Sequence, residues 1–473
     1  MHKMMIAAVK PLAATLVLLG LAGCASFTPD GGLAGVEQTT KERIGKDVKW
    51  ARSDADRDAI ASRVRELLQK PLSIEDAVQI ALLNNNGLQA SFFELGISEA
   101  DLVQAGRLPN PHFSMLRARH EQDYKIEQAL TFNLFSLITM PIATAMERRR
   151  FEQTQRVVAM AVLRLASETR KAYILAVSGE ENVRYMAKVK SVADSSAELA
   201  RRMANVGNWN KLSQAREQGF YADAALNLAR AAQNQVATRE KLTRLLGLWG
   251  EAIQFKLPER LPDLPTSPDE LPNVEQVALA QRLDVQAMRS GTESLAKNLR
   301  LAKATRFISV LELGPARVLE GARSDPYKKG FEVSLEIPLF DWGTARVAKA
   351  EALYMQSVNQ LAETAINARS EVREAYHGYR LSYDIAKHYR DEVVPIRKRI
   401  ADENLLRYNG MLIGVFDLLA DARSQITSVK DYIDALRDFW LAKADLDMAM
   451  IGKPNMSGLT AGSTASADAR AGH

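Results

Sequence analysis

The sequence predicts a mainly α-helical protein with a small β part, built from a duplicated unit of long helices and two strands. Apolar and polar residues alternate in GFEVSLEIPLFDWG (330–343) and again in KIEQALTFNLF (125–135), and a period of two is typical of strands. Between residues 358 and 400, apolar residues recur with a sustained 3-4 spacing, which is the pattern of coiled-coil helices. Related motifs also recur at a nearly constant distance along the chain.

Three pairs of motifs reveal the duplication. EQALTFNLF (127–135) matches EVSLEIPLF (332–340), ETRKAY (168–173) matches EVREAY (371–376), and AREQ (215–218) matches ARSQ (422–425). Because the offset between partners stays between 203 and 207, the two halves are expected to hold the same elements. We assign residues 71–252 to the first repeat and 273–452 to the second, with a proline-rich crossover at 253–272 between them.

Each repeat is expected to contain two short helices, two strands and two long helices. The expected ranges in the first repeat are short helices from 73 and 86, strands at about 112–120 and 125–135, and long helices at about 141–203 and 211–247. In the second repeat they are short helices from 273 and 284, strands at about 307–320 and 330–340, and long helices at about 343–408 and 415–451. Pro395 should kink or loosen the longest helix, because proline removes a helical hydrogen bond.

The chain begins with a segment that has the features of an export signal. Residues 1–23 contain Lys3, Lys10 and a short apolar run, which is too short to span a bilayer, and they precede Cys24, the only cysteine. LAGC (21–24) resembles the lipoprotein signal of bacteria, which implies acylation of Cys24. Ala25 in place of an aspartate implies the outer membrane. Alternatively, Cys24 is an unmodified cysteine behind an ordinary cleavage site.

The segments that flank the repeats are polar or of low complexity. Residues 24–70 are expected to form a lipidated, extended arm with one short helix near 55–69. The tail at 453–473 is rich in Ser, Ala and Gly, and it is expected to be disordered.

Composition and motifs argue against several classes of function. Removal of residues 1–23 lowers the formal charge from +5 to +3, a near balance that argues against binding of nucleic acid. The chain has neither a phosphate-binding glycine-lysine loop nor an HExxH zinc motif, and its histidines are scattered. We therefore expect no catalytic residues, no metal site, no cofactor other than the N-terminal lipid, and no enzymatic activity.

The alternating segments fit two different environments. A globular sheet with one packed and one wet face gives this pattern, and so does a membrane barrel with lipid outside and water inside. After residue 23 the sequence has no apolar run of 18 residues, the approximate minimum for a transmembrane helix. Any membrane crossing would therefore require strands.

Residues 71–452 resemble the TolC-like outer-membrane efflux proteins. The motifs that carry the resemblance are ALLNNNGLQA (81–90), LPNPHFSM (108–115), RLDVQA (282–287), LEIPLFDWG (335–343), EVREAY (371–376), RYNG (407–410) and FDLLADAR (416–423). Gly87 and Leu283 stand where such proteins usually have proline, which leaves loop detail open. The resemblance implies a homotrimer in the outer membrane. Each chain would give four strands to one transmembrane β-barrel of twelve strands, which continues into an α-helical tunnel in the periplasm.

The barrel interpretation assigns the two sides of the alternating strands. The residues expected to face lipid are Leu130, Phe132, Leu134, Phe331, Val333, Leu335, Ile337 and Leu339. The residues expected to face the water-filled lumen are Glu127, Thr131, Glu332, Ser334 and Glu336.

The turns between the long helices are the expected sites of gating and docking. By resemblance, aspartates just past the second turn narrow the periplasmic entrance. Asp417 matches the first such position, whereas Ala420 occupies the second with Asp421 beside it. Asp417 could instead serve only to complement the helix dipole.

By resemblance, the same turns dock a periplasmic adaptor. The docking residues expected from the sequence are Gly207, Asn208, Trp209, Asn409 and Gly410. Trp209 is expected to be exposed at its turn, and packing of this ring within the helix bundle is the alternative.

The resemblance implies a passive exit channel of a tripartite efflux pump, with the adaptor and an inner-membrane transporter as partners. Drugs, metal ions and solvents all remain possible substrates. Two alternatives are the outer-membrane component of type I protein secretion and a periplasmic coiled-coil scaffold lipoprotein without a pore.

Overall fold

The computed structural model describes residues 26–454 except 122, 308 and 309, and it describes Phe416 by its backbone alone. Cys24, the predicted export signal and residues 455–473 of the predicted tail lie outside this range. The helices are α1 (Ala34–Ile44), α2 (Asp54–Leu67), α3 (Ile74–Asn84), α4 (Asn86–Ala105), α5 (Leu134–Asn205), α6 (Lys211–Leu246), α7 (Val274–Gln281), α8 (Leu283–Ala304), α9 (Thr344–His388), α10 (Val394–Asn409) and α11 (Val415–Ile451). The strands are β1 (His112–His120), β2 (Asp123–Asn133), β3 (Leu311–Gly321) and β4 (Lys328–Leu335). Mainly helical structure with a small sheet agrees with the fold class expected from the sequence.

The chain divides into two compact units. One unit, here called the sheet unit, comprises residues 26–36, 92–158 and 284–365 of the described chain. The other, here called the helical unit, comprises residues 37–91, 159–283 and 366–454. Within the described residues, no helix is both long enough and apolar enough to serve as a membrane span.

The sheet unit contains a single four-stranded sheet in the order β1-β2-β3-β4. All neighbouring strands are antiparallel, and the central β2–β3 pair joins a strand from each half of the sequence. β1 and β4 are the two edges of this sheet. Their outer hydrogen-bonding groups have no strand partner within the described chain, a situation that folded proteins usually avoid by covering or pairing the edge.

The helical unit is built around α3 and parts of the long helices. The apolar side chains of α3 are buried almost completely, so this short helix forms the centre of the core. Asn84 and Asn85 stand at its end and donate side-chain N–H groups to the carbonyls of Leu246 at 3.0 Å and Leu245 at 3.0 Å. These bonds satisfy carbonyls that the end of α6 leaves without helical partners. The asparagine run of ALLNNNGLQA therefore has a structural role.

The proline-rich crossover is held by aromatic side chains of α9 and α11. The Tyr383 hydroxyl donates to the Thr266 carbonyl at 2.7 Å, and the Trp440 indole N–H donates to the Pro262 carbonyl at 3.0 Å. Tyr383 and Trp440 both contact Phe439, with ring centroids 5.8 and 5.1 Å apart. Because proline offers no amide hydrogen for regular pairing, the crossover depends on side-chain donors such as these.

The expected effect of Pro395 is seen one turn before the proline. A π-helical turn at Tyr389–Val393 separates α9 from α10, which fits the loss of a regular helical hydrogen bond at proline. The apolar residues that recur with a 3-4 spacing between 358 and 400 form a seam along α9 and α10. The seam is buried from Ala368 to Ala386 and becomes exposed at Ile396 and Ile400. The seam is therefore covered within one chain only before the π turn.

Three features differ from the ranges expected from the sequence. The N-terminal arm contains α1 as well as α2, although α1 lacks a strong apolar period. α5 begins at Leu134 instead of near 141, because the Asn133 side chain accepts a hydrogen bond from the Ser136 amide at 2.8 Å and caps the helix there. β4 ends at Leu335 and does not continue to 340, because its partner β3 begins at Leu311 opposite Leu335, and Pro338 cannot donate to a ladder.

Candidate functional site

The sheet has two chemically different faces. Its ladders keep a constant register from end to end, so alternate residues of all four strands share one face. The face called the polar face here includes Glu127, Thr131, Glu312, Glu332 and Ser334. The opposite face, called the apolar face here, includes Phe113, Leu130, Phe132, Leu313, Phe331, Val333 and Leu335.

Charges on the polar face are partly paired. Lys125 lies 2.9 Å from the Glu127 carboxylate, and Lys328 lies 3.6 Å from that of Glu320. The Thr131 hydroxyl donates to Glu312 at 3.2 Å. All five acidic residues of the four strands lie on this face, so it carries an excess of carboxylates over its two lysines.

The register assigns most of the predicted barrel residues to the expected faces, but four lie outside the strands. Glu127, Thr131, Glu332 and Ser334 share the polar face, whereas Leu130, Phe132, Phe331, Val333 and Leu335 share the apolar face. Leu134 is the first residue of α5, so the strand assignment of this residue is wrong. Glu336, Ile337 and Leu339 follow the end of β4, and the register therefore assigns them no face.

The first helical turn, between α5 and α6, is closed by backbone hydrogen bonds. The Asn208 and Trp209 amides donate to the Met203 carbonyl at 3.0 and 3.3 Å, and Gly207 has a positive φ of 78°. Only glycine adopts such a conformation readily. The Trp209 side chain is half-buried, which lies between the exposed position and the packed position that the sequence left open.

The second helical turn, between α10 and α11, differs from the expected one. Gly410 has a φ of −81°, and the left-handed conformation belongs instead to Met411, with a φ of 58°. Asn409 is the last residue of α10. Met411 is 94% exposed and Leu412 is 77% exposed. A non-glycine residue in a left-handed conformation costs energy. The exposed side chains of Met411 and its neighbour Leu412 form an apolar patch that was not expected from the sequence.

The two aspartates near the second turn have different surroundings. Asp417 is exposed, and its carboxylate accepts a hydrogen bond from the Gly414 amide at 3.3 Å. Acidic residues in the first turn of a helix often accept such a bond from the backbone. Asp421 is half-buried and accepts a hydrogen bond from the Asn404 side chain. The carboxylate of Asp421 is therefore engaged within its own chain.

A buried polar cluster joins α5, α6 and α11 near these turns. Glu217 is 1% exposed and accepts hydrogen bonds from the Ser196 hydroxyl at 2.7 Å and from the Arg423 guanidinium. Arg423 also lies over the ring of Phe220, 4.5 Å from its centroid. In the sequence, AREQ and ARSQ are recognisable only as one of the motif pairs that indicate the duplication. Their pairing across helices depends on tertiary packing that spacing alone does not show.

Two side chains of α5, Glu198 and Tyr185, have shifted pKa values. Hydrogen bonds from Arg201 and then Arg202 lower the pKa of Glu198 to about 2. Burial raises the pKa of Tyr185 to about 12, and its hydroxyl donates to the Ile426 carbonyl at 2.9 Å. Within the described residues, no group of three or more His, Cys, Asp or Glu side chains is arranged to hold a metal ion.

Comparisons with known proteins agree on the fold. No protein-family model matches the chain. The cobalt-zinc-cadmium resistance protein CzcC of Cupriavidus metallidurans is 22% identical over 388 residues, which cover 80% of this chain and 89% of that protein. The crystal structure of CusC, described in connection with transmembrane channel formation, has a TM-score of 0.67 at 18% identity and covers 80% of this chain and 92% of its own.

A second solved structure gives the same result. The Campylobacter jejuni CmeC outer-membrane channel has a TM-score of 0.66 at 19% identity, and the match covers 80% of this chain and 85% of that chain. The chain therefore has the fold of the TolC-like outer-membrane channels, the family that its sequence motifs resemble.

Proposed function

We propose that this protein is the outer-membrane exit channel of a tripartite efflux pump. As a homotrimer anchored by a lipid on Cys24, it would conduct small substrates passively from the periplasm to the exterior. A periplasmic adaptor and an inner-membrane transporter would be its partners. Residues 71–252 and 273–452 would be the two copies of a duplicated unit, each giving two strands to a shared transmembrane barrel.

The two-faced sheet with two open edges is the observation that carries this proposal. Four strands are too few to enclose a useful lumen. β1 and β4 lie at opposite edges, so each edge could pair with the complementary edge of a neighbouring copy and close a ring. A ring with the apolar face outward would put Leu130, Phe331 and Val333 against lipid, and the carboxylates of the polar face around water.

The polar face and one relative favour cations among the possible substrates. CzcC is named for resistance to cobalt, zinc and cadmium. The excess of carboxylates over lysines on the polar face would attract cations into a pore. We therefore infer that divalent metal cations are the favoured substrates, with drugs and organic solvents as alternatives.

The helical turns would form the periplasmic end of the channel. Met411 and Leu412 are exposed apolar residues at the second turn, and they support docking of an adaptor there together with the first turn at Gly207 and Asn208. In a docked complex these two apolar side chains would be removed from water, which favours association. Asp417, exposed beside this turn, is our candidate for an acidic ring at the entrance, whereas the hydrogen bond of Asp421 to Asn404 makes a second ring from Asp421 less favoured.

Reconstitution tests the channel directly. Purified full-length protein is expected to migrate as a heat-modifiable trimer and to give discrete, cation-selective conductance steps in planar bilayers, because a shared barrel leaves a water-filled pore. The measurement is single-channel current together with the reversal potential in a salt gradient. A monomer that leaves bilayers electrically silent would contradict the proposal and favour a scaffold without a pore.

Two substitutions at Asp417 separate gating from helix capping. Asp417→Asn keeps an acceptor for the Gly414 amide but removes the charge, whereas Asp417→Ala removes both. If an acidic ring narrows the entrance, both variants should raise single-channel conductance and lower cation selectivity. If Asp417 only caps α11, the Asn variant should conduct like wild type, and the Ala variant should lose about 1 kcal/mol of local stability. Unchanged conductance in both variants would remove Asp417 from the gate.

A further inference from the structure

The apolar face changes character along the strands. At the end where the strands join the helices it carries Leu130, Phe132, Leu313, Phe331 and Val333. At the hairpin end, the same face carries four cations, namely Arg117, Arg119, Arg317 and Lys329. We call these four residues the basic band.

The register separates the strand charges by sign. The basic band lies on a face that has no acidic residue in any of the four strands, because every strand Asp and Glu falls on the polar face. The other two strand cations, Lys125 and Lys328, lie on the polar face beside Glu127 and Glu320. A solvated sheet surface gives no reason for this segregation, since mixed charges are the usual composition of such surfaces.

All four residues of the basic band are exposed, and the three arginines lie over aromatic rings. Arg117 and Arg119 lie 5.9 and 5.4 Å from the ring centroid of Tyr124, and Arg317 lies 5.0 Å from that of Tyr327. Among the described residues, none of the four cations forms an ion pair with a carboxylate. A guanidinium held over an aromatic ring keeps its planar edge free to bind an anion with two hydrogen bonds.

Among the residues that the structure describes, the partners of two of the arginines are neutral. The Nε of Arg119 donates to the Glu121 carbonyl at 2.8 Å, and the Nε of Arg317 donates to the Gln128 side chain at 2.6 Å. These bonds fix the direction of each side chain without neutralising its charge. The terminal nitrogens, which are the usual phosphate ligands of arginine, are left for an external partner.

We propose that the basic band binds the phosphate groups of phosphorylated lipid headgroups in the membrane leaflet at the hairpin end. The inference rests on the proposed function, because it requires the apolar face to lie in a bilayer. Apolar side chains would contact the acyl chains, the tyrosines would lie at the interface, and the four cations would meet the phosphates. A trimer would repeat the band three times around its circumference, so that the lipid contact would be continuous.

The test compares two variants with equal changes of charge on opposite faces of the sheet. Arg317→Gln/Lys329→Gln removes two cations from the basic band, and Lys125→Gln/Lys328→Gln removes two from the polar face. Binding of the purified trimer to bisphosphorylated lipid A, to its dephosphorylated form and to phosphatidylcholine is measured in detergent by native mass spectrometry. Inorganic phosphate serves as a competitor, and bilayer conductance reports the assembly of each variant.

Wild type and the polar-face variant are expected to prefer the phosphorylated lipid. The basic-band variant should bind the phosphorylated lipid about 30-fold more weakly, because each of the two cations near a charged lipid surface contributes a factor of about five. This variant should still conduct. Equal affinity in both variants would overturn the inference, as would equal binding of the dephosphorylated lipid or displacement by inorganic phosphate at matched concentration. A wild type that conducts but shows no phosphate preference would refute this site while leaving the channel intact. A wild-type protein that gives no conductance in bilayers would instead count against the proposed function.

Discussion

Gly314→Ala is expected to reduce the yield of the proposed heat-modifiable trimer by about a hundredfold, the equivalent of about 3 kcal/mol of overpacking. A Cβ built on Gly314 would lie far inside van der Waals contact with the backbone of Leu130 and Thr131 in the neighbouring strand. Backbone atoms cannot move aside by a change of rotamer. β2 and β3 would therefore have to separate at the pair that joins the two halves of the sheet.

Gly330→Ala is the matched control for this substitution. Gly330 lies one strand away in β4, and a Cβ there would meet nothing within 4 Å. Both changes add one methyl group to a strand glycine of the same sheet, so only the close approach of the strands distinguishes them. The measurement is the fraction of each purified variant that migrates as the proposed trimer before heating. Equal assembly of the two variants would show that the β2–β3 contact tolerates the methyl group.

Arg282→Ala is expected to lower the local stability of the helical unit by about 3 to 5 kcal/mol, as loss of one partner of a buried ion pair usually does. The side chain of Arg282 is 1% exposed, and its guanidinium lies 2.7 Å from the Glu371 carboxylate. The substitution would leave the Glu371 carboxylate without this cation. Only about a fifth of the Glu371 side chain is exposed, so water would compensate poorly for the lost charge. Hydrogen exchange in α7 and α9 measures the effect, because exchange reports the free energy of local opening.

A surface ion pair in the same unit provides the control for Arg282. Arg369 lies 3.0 Å from Glu275, but the arginine side chain is 58% exposed, so Arg369→Ala should cost no more than about 1 kcal/mol. The double variant Arg282→Met/Glu371→Leu should recover much of the loss, because apolar residues of similar size often replace a buried ion pair at little cost. If the amides of α7 and α9 were equally protected from hydrogen exchange in Arg282→Ala and Arg369→Ala, the buried pair would contribute little to local stability.

The Arg282–Glu371 pair also explains why two sequence motifs occur together. RLDVQA and EVREAY stand nearly ninety residues apart in the chain, and nothing in either motif indicates its partner. Packing of α9 beside the short helix α7 brings Arg282 and Glu371 into contact. Both motifs are among those that resemble the efflux family. The contact between Arg282 and Glu371 gives a physical reason why the two motifs occur in the same chain.

Local patterns in the sequence predicted most of the helices and strands, although not α1 and not the ends of α5 and β4. Alternation identified β2 and β4, the 3-4 spacing identified the helix that contains α9 and α10, and the glycines and asparagines located the turns near 207 and 410. Local side-chain chemistry acts over a few residues, so it can be read directly from a sequence. The faces assigned to Leu130, Thr131, Glu332 and Val333 followed from the same alternation.

The tertiary structure decided everything that depends on residues distant in sequence. Strand ends depend on where a partner strand ends, so β4 stops at Leu335 and Leu134 belongs to a helix capped by Asn133. The backbone contact at Gly314, the buried Glu217 cluster and the grouping of the basic band across β1, β3 and β4 each join segments far apart in the chain. Such contacts arise only when the register and helix packing are fixed, because a sequence pattern specifies which side of an element is apolar but not what will lie against it.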